Sequence, residues 1–307
     1  MKAIVTGADG FVGSYVVQEL LDHDYQVIAI DLAAIPHRLN LRNKNLNYVC
    51  LPVDRIAEIK SLVPEVEGAD ICFHFAWRGS AGSERCDEAI QLNNALLTAK
   101  CLREVATIGV KRFVCAGTIM EFETNQVIYD QGSKPALQYI YGAGKTAAHE
   151  ICKPIANDLK IDLIWAYITN TYGVGESSPR FLNSTIRKII NGESLDFTSG
   201  TQNYDFIYVT DVARAFRLLG EKGKGNKGYI IGSGCAKPLR KFVEDILDEL
   251  KPTVPAKFGD IPYSGAMTPL ETFSTNEIVA DCGFKPSISF KDGVRLTFDY
   301  LKKMEAK

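Results

Sequence analysis

The chain has 307 residues, enough for one large domain or two smaller ones, and 46% of them are hydrophobic, which suits a substantial core and excludes a disordered chain. A formal net charge of −2 argues against nucleic acid or an anionic membrane surface as the main partner, and no apolar run reaches the ~18 residues that a membrane helix needs. Eight cysteines occur without a C-x-x-C pair and four histidines are scattered, so neither a metal site nor a disulfide framework is expected; with no secretory pattern in the first residues, the expected compartment is the reducing cytoplasm.

The first half alternates strand-like and helix-like stretches. KAIVT (2–6) reads as a strand and GFVGSYVVQELLDHD (10–24) as a helix. QVIAIDL (26–32), NYVCLPVD (47–54) and ADICFHFA (69–76) read as three further strands. Residues 87–109 form a long helical pattern in which Ile90, Asn94, Leu97, Cys101 and Val105 recur at helical spacing. KRFVCAG (111–117) is a fifth strand and DLIWAYIT (162–169) a sixth. Between them 141–159 reads as a helix that Pro154 should kink or divide. These strands are near-continuous apolar runs, as expected when helices cover both faces. Alternating β and α units predict an α/β fold, a doubly wound parallel sheet of the Rossmann type.

The pattern changes near residue 171. Residues 177–193 read as a helix ending at Asn191-Gly192, and 203–221 as a short strand and a helix with Thr210 as N-cap. A glycine-rich turn and strand (223–234), a helix (238–251) and a last amphipathic helix (290–307) with a basic, frayed end follow. The expected division is a dinucleotide-binding domain over 1–171, to which 203–232 returns, and an interleaved substrate-binding lobe over 172–202 and 233–307.

Gly7, Gly10 and Gly13 stand three apart between the first strand and the first helix. The first glycine allows a tight turn, the second a close approach of backbone to a pyrophosphate, and the third close packing of helix on strand. The helix start then offers free N–H groups and a partial positive charge to an anion. The second strand ends in Asp31, 18 residues after Gly13, close to the spacing expected of a carboxylate on the adenosine ribose hydroxyls. A carboxylate there repels a 2′-phosphate, so NAD is favoured over NADP. Tyr141 and Lys145, four apart, share one helix face, and an ammonium beside a phenol favours its use as a general acid/base. Thr118 follows a strand's C-terminal end, where ligands of such sheets bind, and its hydroxyl could hold a substrate oxygen.

Taken together, these features resemble the extended short-chain dehydrogenase/reductase family, in its epimerase/dehydratase branch acting on nucleotide sugars. The motifs run in order along nearly the whole chain: TGADGFVG (6–13), DICFHFA (70–76), Asn94 on the long helix, Thr118, Tyr141 to Lys145, NTYGVG (170–175) and DFIYVTDV (205–212). The resemblance implies that Gly7, Gly10, Phe11, Val12, Gly13, Asp31, Asp54, Ala76 and Asn94 line the NAD site, with Asp54 near the adenine. It implies that Lys145 holds the nicotinamide ribose while Tyr141 moves the hydroxyl proton, and that Asn170 lies near the substrate phosphates. It also implies a homodimer through the helices around 88–107 and 142–159.

The departures are informative. Where the branch often carries an arginine for the substrate diphosphate, two residues before the Phe of D-F-x-x-V, this chain has Tyr204; Arg180 and Arg187 are the candidate replacements. Trp77 and Arg78 replace small residues after the histidine motif and are expected to shape the substrate side. Ile119 and Met120 follow Thr118 where 4,6-dehydratases carry Asp-Glu, which argues against water elimination. The expected activity is an NAD-dependent 4-epimerase of a nucleoside-diphosphate hexose. A 4-ketoreductase or 4-dehydrogenase of a deoxysugar pathway is the alternative. A non-catalytic dinucleotide-binding regulator is a more distant rival, since the tyrosine and lysine are both kept.

Overall fold

Seven strands hydrogen-bond into one parallel sheet in the computed structural model of the protein, which describes residues 1–263 and 265–305. They are β1 (Lys2–Thr6), β2 (Gln26–Asp31), β3 (Leu46–Cys50), β4 (Ile71–His74), β5 (Arg112–Thr118), β6 (Asp162–Ile168) and β7 (Lys227–Ile231). Their spatial order is β3-β2-β1-β4-β5-β6-β7, so the order reverses between β1 and β4. Thr6 at the end of β1 stands between Ile30 and His74 of its two neighbours, and the crevice above that reversal is where a doubly wound sheet binds its ligand.

The helices are α1 (Phe11–Leu21), α2 (Glu88–Thr107), α3 (Met120–Tyr129), α4 (Ile140–Leu159), α5 (Phe181–Asn191), α6 (Val209–Lys222), α7 (Leu239–Leu250), α8 (Asn276–Cys282) and α9 (Phe290–Glu305), besides one short turn of helix at Ile59–Leu62. Side-chain alternation along each strand feeds two cores. Ala3 and Val5 point to the layer of Val16, Phe73 and Phe216, where α1 packs on α6. Ile4 and Cys72 point to the layer of Leu102, Phe113 and Trp165, where α2 packs on α4. Each fully buried side chain of this kind contributes about 1.5–3 kcal/mol, which fixes the register of the sheet and hence the height at which each strand end meets the crevice. A third core, with Leu182, Ile186, Phe206, Phe242, Val243 and Val294, joins α5, α7 and α9 into a smaller lobe.

Several local expectations are corrected. The third strand stops at Cys50; Pro52 has no N–H for a ladder, and a 3₁₀ turn over Val53–Glu58 follows, with Asp54 exposed on it. Pro154 does not divide α4, whose long contact with α2 holds one helix from Ile140 to Leu159. Thr210 is no cap: α6 begins at Val209 after Tyr208, without a side-chain cap. The segment Phe206–Tyr208 pairs with Asn170–Tyr172 in a separate ribbon, and β7 pairs with β6 at the edge of the main sheet. Helix α3 has no counterpart among the elements expected from the sequence. The frayed end expected of the last helix falls partly on Ala306 and Lys307, outside the described residues.

Candidate active site

The glycine turn is built for close approach. Gly7 has φ +67°, and a Cβ there would lie 2.6 Å from the backbone nitrogen of Ala76. A Cβ at Gly13 would lie 2.1 Å from the carbonyl oxygen of Gly7, so only glycine lets α1 start this near to β1. Gly10 caps α1 with no side chain on the first N–H groups, leaving them for an anion. The Asp31 carboxylate accepts from the N–H of Asp9 and of Leu32, both at 2.7 Å, and so stands at the mouth of the turn. The Asp9 carboxylate in turn accepts from the N–H groups of His37 and Arg38, at 2.8 and 2.7 Å, which ties the loop after β2 over the turn.

Below it His74 is buried. Its Nε2 lies 3.1 Å from the Thr98 hydroxyl, which already donates to the Asn94 carbonyl at 2.9 Å, so Nε2 carries the proton and Nδ1 accepts from Thr6 at 2.8 Å. This chain of bonds ties β1, β4 and α2 together under the cradle. The Asn94 amide bonds both backbone groups of Arg78, at 3.1 and 2.7 Å, and thereby shapes the loop after β4. Asp54 lies apart from these groups, with its carbonyl taken by Lys100.

Tyr141 and Lys145 sit on α4 at the ends of β4 and β5. Both are nearly buried. The glycines of YGAGK set their position: a Cβ at Gly142 would lie 1.9 Å from the Thr124 hydroxyl of α3, and one at Gly144 2.9 Å from Gln91 Cβ of α2. Lys145 Nζ donates to the carbonyl of Ala116 at 2.8 Å and lies 3.6 Å from the centre of the Trp77 ring. Trp77, whose Nε1 donates to Gln91 at 2.8 Å, meets Tyr141 edge to face at 6.2 Å between ring centres. Thr118 is fixed from behind: Glu121 accepts from its N–H at 2.8 Å and from Trp165 Nε1 at 3.0 Å. The Thr118 oxygen accepts from Met120 N–H at 3.3 Å, and its own hydroxyl proton is left to donate. Burial pushes the Glu121 carboxyl up to about 7, against the opposing pull of those hydrogen bonds and of Lys145.

The substrate-side expectations separate. Arg180 reaches the Ser80 carbonyl at 3.4 Å, on the loop after β4. Arg187 is instead paired with Glu305 on α9 at 3.2 Å. Arg78 points outward to Glu84, and the Asn170 amide bonds the Asp205 carbonyl at 3.1 Å. Tyr204 lines a cavity of about 310 Å³ in the smaller lobe together with Phe181, Phe197, Phe258 and Tyr263. Burial pushes the Tyr204 phenol up to about 12.

The profile of the NAD dependent epimerase/dehydratase family matches residues 3–232. The chain belongs to that family. It is therefore an NAD-dependent enzyme, and the cradle described above fits the cofactor: the bare backbone at Gly7, Gly10 and Gly13 would admit a pyrophosphate, and the Asp31 carboxylate at the mouth of the turn would face ribose hydroxyls. Among relatives of this family member, a dTDP-6-deoxy-L-talose 4-dehydrogenase (NAD(+)) of Aggregatibacter actinomycetemcomitans is 29% identical, over 85% of this chain and 95% of its own. An uncharacterized UDP-glucose epimerase of Bacillus subtilis is 26% identical over 99% of both chains. A solved UDP-glucose 4-epimerase of Thermotoga maritima shares the fold, with a TM-score of 0.81 at 22% identity over 99% of this chain and 100% of that one.

Two cleft residues of this family member carry no mark in the sequence. Arg85, on the 3₁₀ turn Ser83–Cys86, lays its guanidinium 4.2 Å from the centre of the Tyr141 ring. Glu123 on α3 is largely buried nearby, which pushes its carboxyl up to about 7 while Arg85 pulls it down. Neither lies in a recurring spacing, and no signal in the sequence singles them out.

Proposed function

We propose that the protein is a 4-epimerase of a nucleoside-diphosphate hexose. One observation carries the reading: on one face of α4, Lys145 is held to the carbonyl of Ala116, two residues before Thr118 on β5, and Tyr141 stands beside Trp77 in the loop after β4. NAD, when bound, supplies the hydride acceptor and donor. Tyr141 takes the proton of the sugar 4-hydroxyl and returns it, Thr118 donates a hydrogen bond to that oxygen, and Lys145 fixes the ribose of the cofactor. The large aromatic-lined cavity beyond Tyr204 suits the nucleoside end of the substrate. Residues 1–171 with 203–232 serve the cofactor, and 172–202 with 233–307 the substrate. Ile119 and Met120 after Thr118 provide no acid or base for dehydration.

The second reading, a 4-dehydrogenase or 4-ketoreductase, draws support from the 29% identical talose dehydrogenase. Incubation with UDP- and dTDP-hexoses distinguishes the two. An epimerase yields the C4 epimer by NMR with no net change at 340 nm and releases near-stoichiometric NAD(H) on denaturation. With NAD added in excess, a dehydrogenase, or a ketoreductase run in reverse on the matching 6-deoxyhexose, accumulates NADH as the 4-hydroxyl is oxidised, and inertness toward nucleoside-diphosphate hexoses and 6-deoxyhexoses under these conditions overturns either reading. We further place the protein in the cytoplasm, in keeping with eight free thiols, as a homodimer paired through α2 and α4, where Leu92, Leu96 and Ile151 are exposed.

A further inference from the structure

Arg85 is an unusual group in the cleft. Its Nη1 donates to the Ser80 carbonyl at 3.0 Å, and its flat face covers the Tyr141 ring. Among the described residues it makes no ion pair, although the Glu123 carboxyl is near enough to act on its charge. Burial disfavours its charge most and the field of Arg180 does so further, with Tyr141 and Glu123 opposing them only in part. A guanidinium offers five N–H donors in a rigid fork, and a half-buried one with a single hydrogen bond has donors left for an anion. Arg180 reaches the same Ser80 oxygen at 3.4 Å, so two cations converge on one carbonyl at the cleft edge.

Tyr204 supplies the other half of the argument. By the resemblance of the DFIYVTDV motif, it stands where the family pattern places an arginine for the substrate diphosphate. Its phenol feels the fields of both Glu123 and Arg85, and it also lines the aromatic cavity. Arg85 thus touches Tyr141, where the sugar would react, and acts on Tyr204, which lines the cavity suited to the nucleoside. Arg187, tied to Glu305, is not available for that place.

We propose that Arg85, with Arg180 beside it, recognises the substrate diphosphate, supplying from the loop after β4 the charge that Tyr204 lacks. This rests on the nucleotide-sugar reading above. The guanidinium fork matches two phosphate oxygens at once, which a lysine ammonium does not.

The test is calorimetric titration of NAD-saturated protein with UDP and with dTDP. Wild type should bind at least one of them. Arg85→Gln should weaken that binding about 30-fold, or about 2 kcal/mol at 1.4 kcal/mol per tenfold, while NAD affinity stays unchanged. Arg85→Lys should lose about 5-fold, and it decides the matter if the glutamine variant fails to fold. Adding Tyr204→Arg to Arg85→Gln should recover most of the loss. Unchanged diphosphate affinity in both Arg85 variants overturns the assignment while leaving the nucleotide-sugar reading intact. Wild-type protein that binds neither diphosphate overturns both.

Discussion

Lys145 sits 3.6 Å above the Trp77 ring centre while donating to the Ala116 carbonyl at 2.8 Å. The two contacts aim the ammonium at the crevice, and the aromatic one contributes about 1–2 kcal/mol to holding it there. The chain has two tryptophans, and Trp165 is fully buried behind Glu121. NAD that engages Lys145 should therefore alter emission from Trp77. We expect intrinsic fluorescence to change on NAD titration, and Trp77→Phe to remove most of that change while calorimetry still detects binding. A change that persists in the variant would separate Trp77 from the cofactor site.

The glycine cradle makes a graded prediction. A Cβ at Gly13 meets the Gly7 carbonyl oxygen at 2.1 Å, whereas one at Gly10 meets it at 3.1 Å. The first contact forces α1 off the turn, and the second needs only a few tenths of an ångström. Gly13→Ala should cost at least about 100-fold in NAD affinity and Gly10→Ala about 10-fold or less, by calorimetry. Equal losses at the two positions would contradict the close approach of helix and strand.

Features set by local spacing are legible in the chain itself: the glycine triplet, Asp31 at its strand end, and Tyr141 and Lys145 four apart. The doubly wound sheet follows from the unbroken apolar strands. What escapes such reading depends on contacts between distant segments. Arg85 reaches Tyr141 from a short 3₁₀ turn with no periodicity, and Glu123 lies on α3, whose sequence MEFETNQVIY has no clear apolar stripe. Arg180 and Arg187 look alike as residues. The pairing of Arg187 with Glu305 exists only because α9 folds back on α5. The glycines of YGAGK are a usable clue, since their missing side chains mark where α2 and α3 close on α4.

Dimerisation has its own test. Leu92 and Leu96 are each more than half exposed and lie one turn apart on α2, on a face the core does not use. Leu92→Glu with Leu96→Glu should turn a dimer into a monomer by light scattering at micromolar concentration, with the helical signal unchanged. A wild-type protein of monomeric mass would refute the pairing.

Glu121 links the site to stability. Its carboxyl is 3% exposed and raised to about 7, chiefly by burial. A carboxyl whose folded value exceeds its unfolded one stabilises the fold fully below the unfolded value, near 4.5. That contribution disappears as pH rises through about 7, because the folded state must then ionise a group shielded from water. The span corresponds to about 3 kcal/mol. Denaturant unfolding should therefore show Glu121→Gln gaining on wild type between pH 5 and pH 8. The glutamine oxygen still accepts from Thr118 N–H and Trp165 Nε1. Glu121→Ala, by contrast, strands both donors and should cost about 2–4 kcal/mol at every pH. A difference between wild type and Glu121→Gln that stays constant across this range would show that Glu121 remains ionised in the fold.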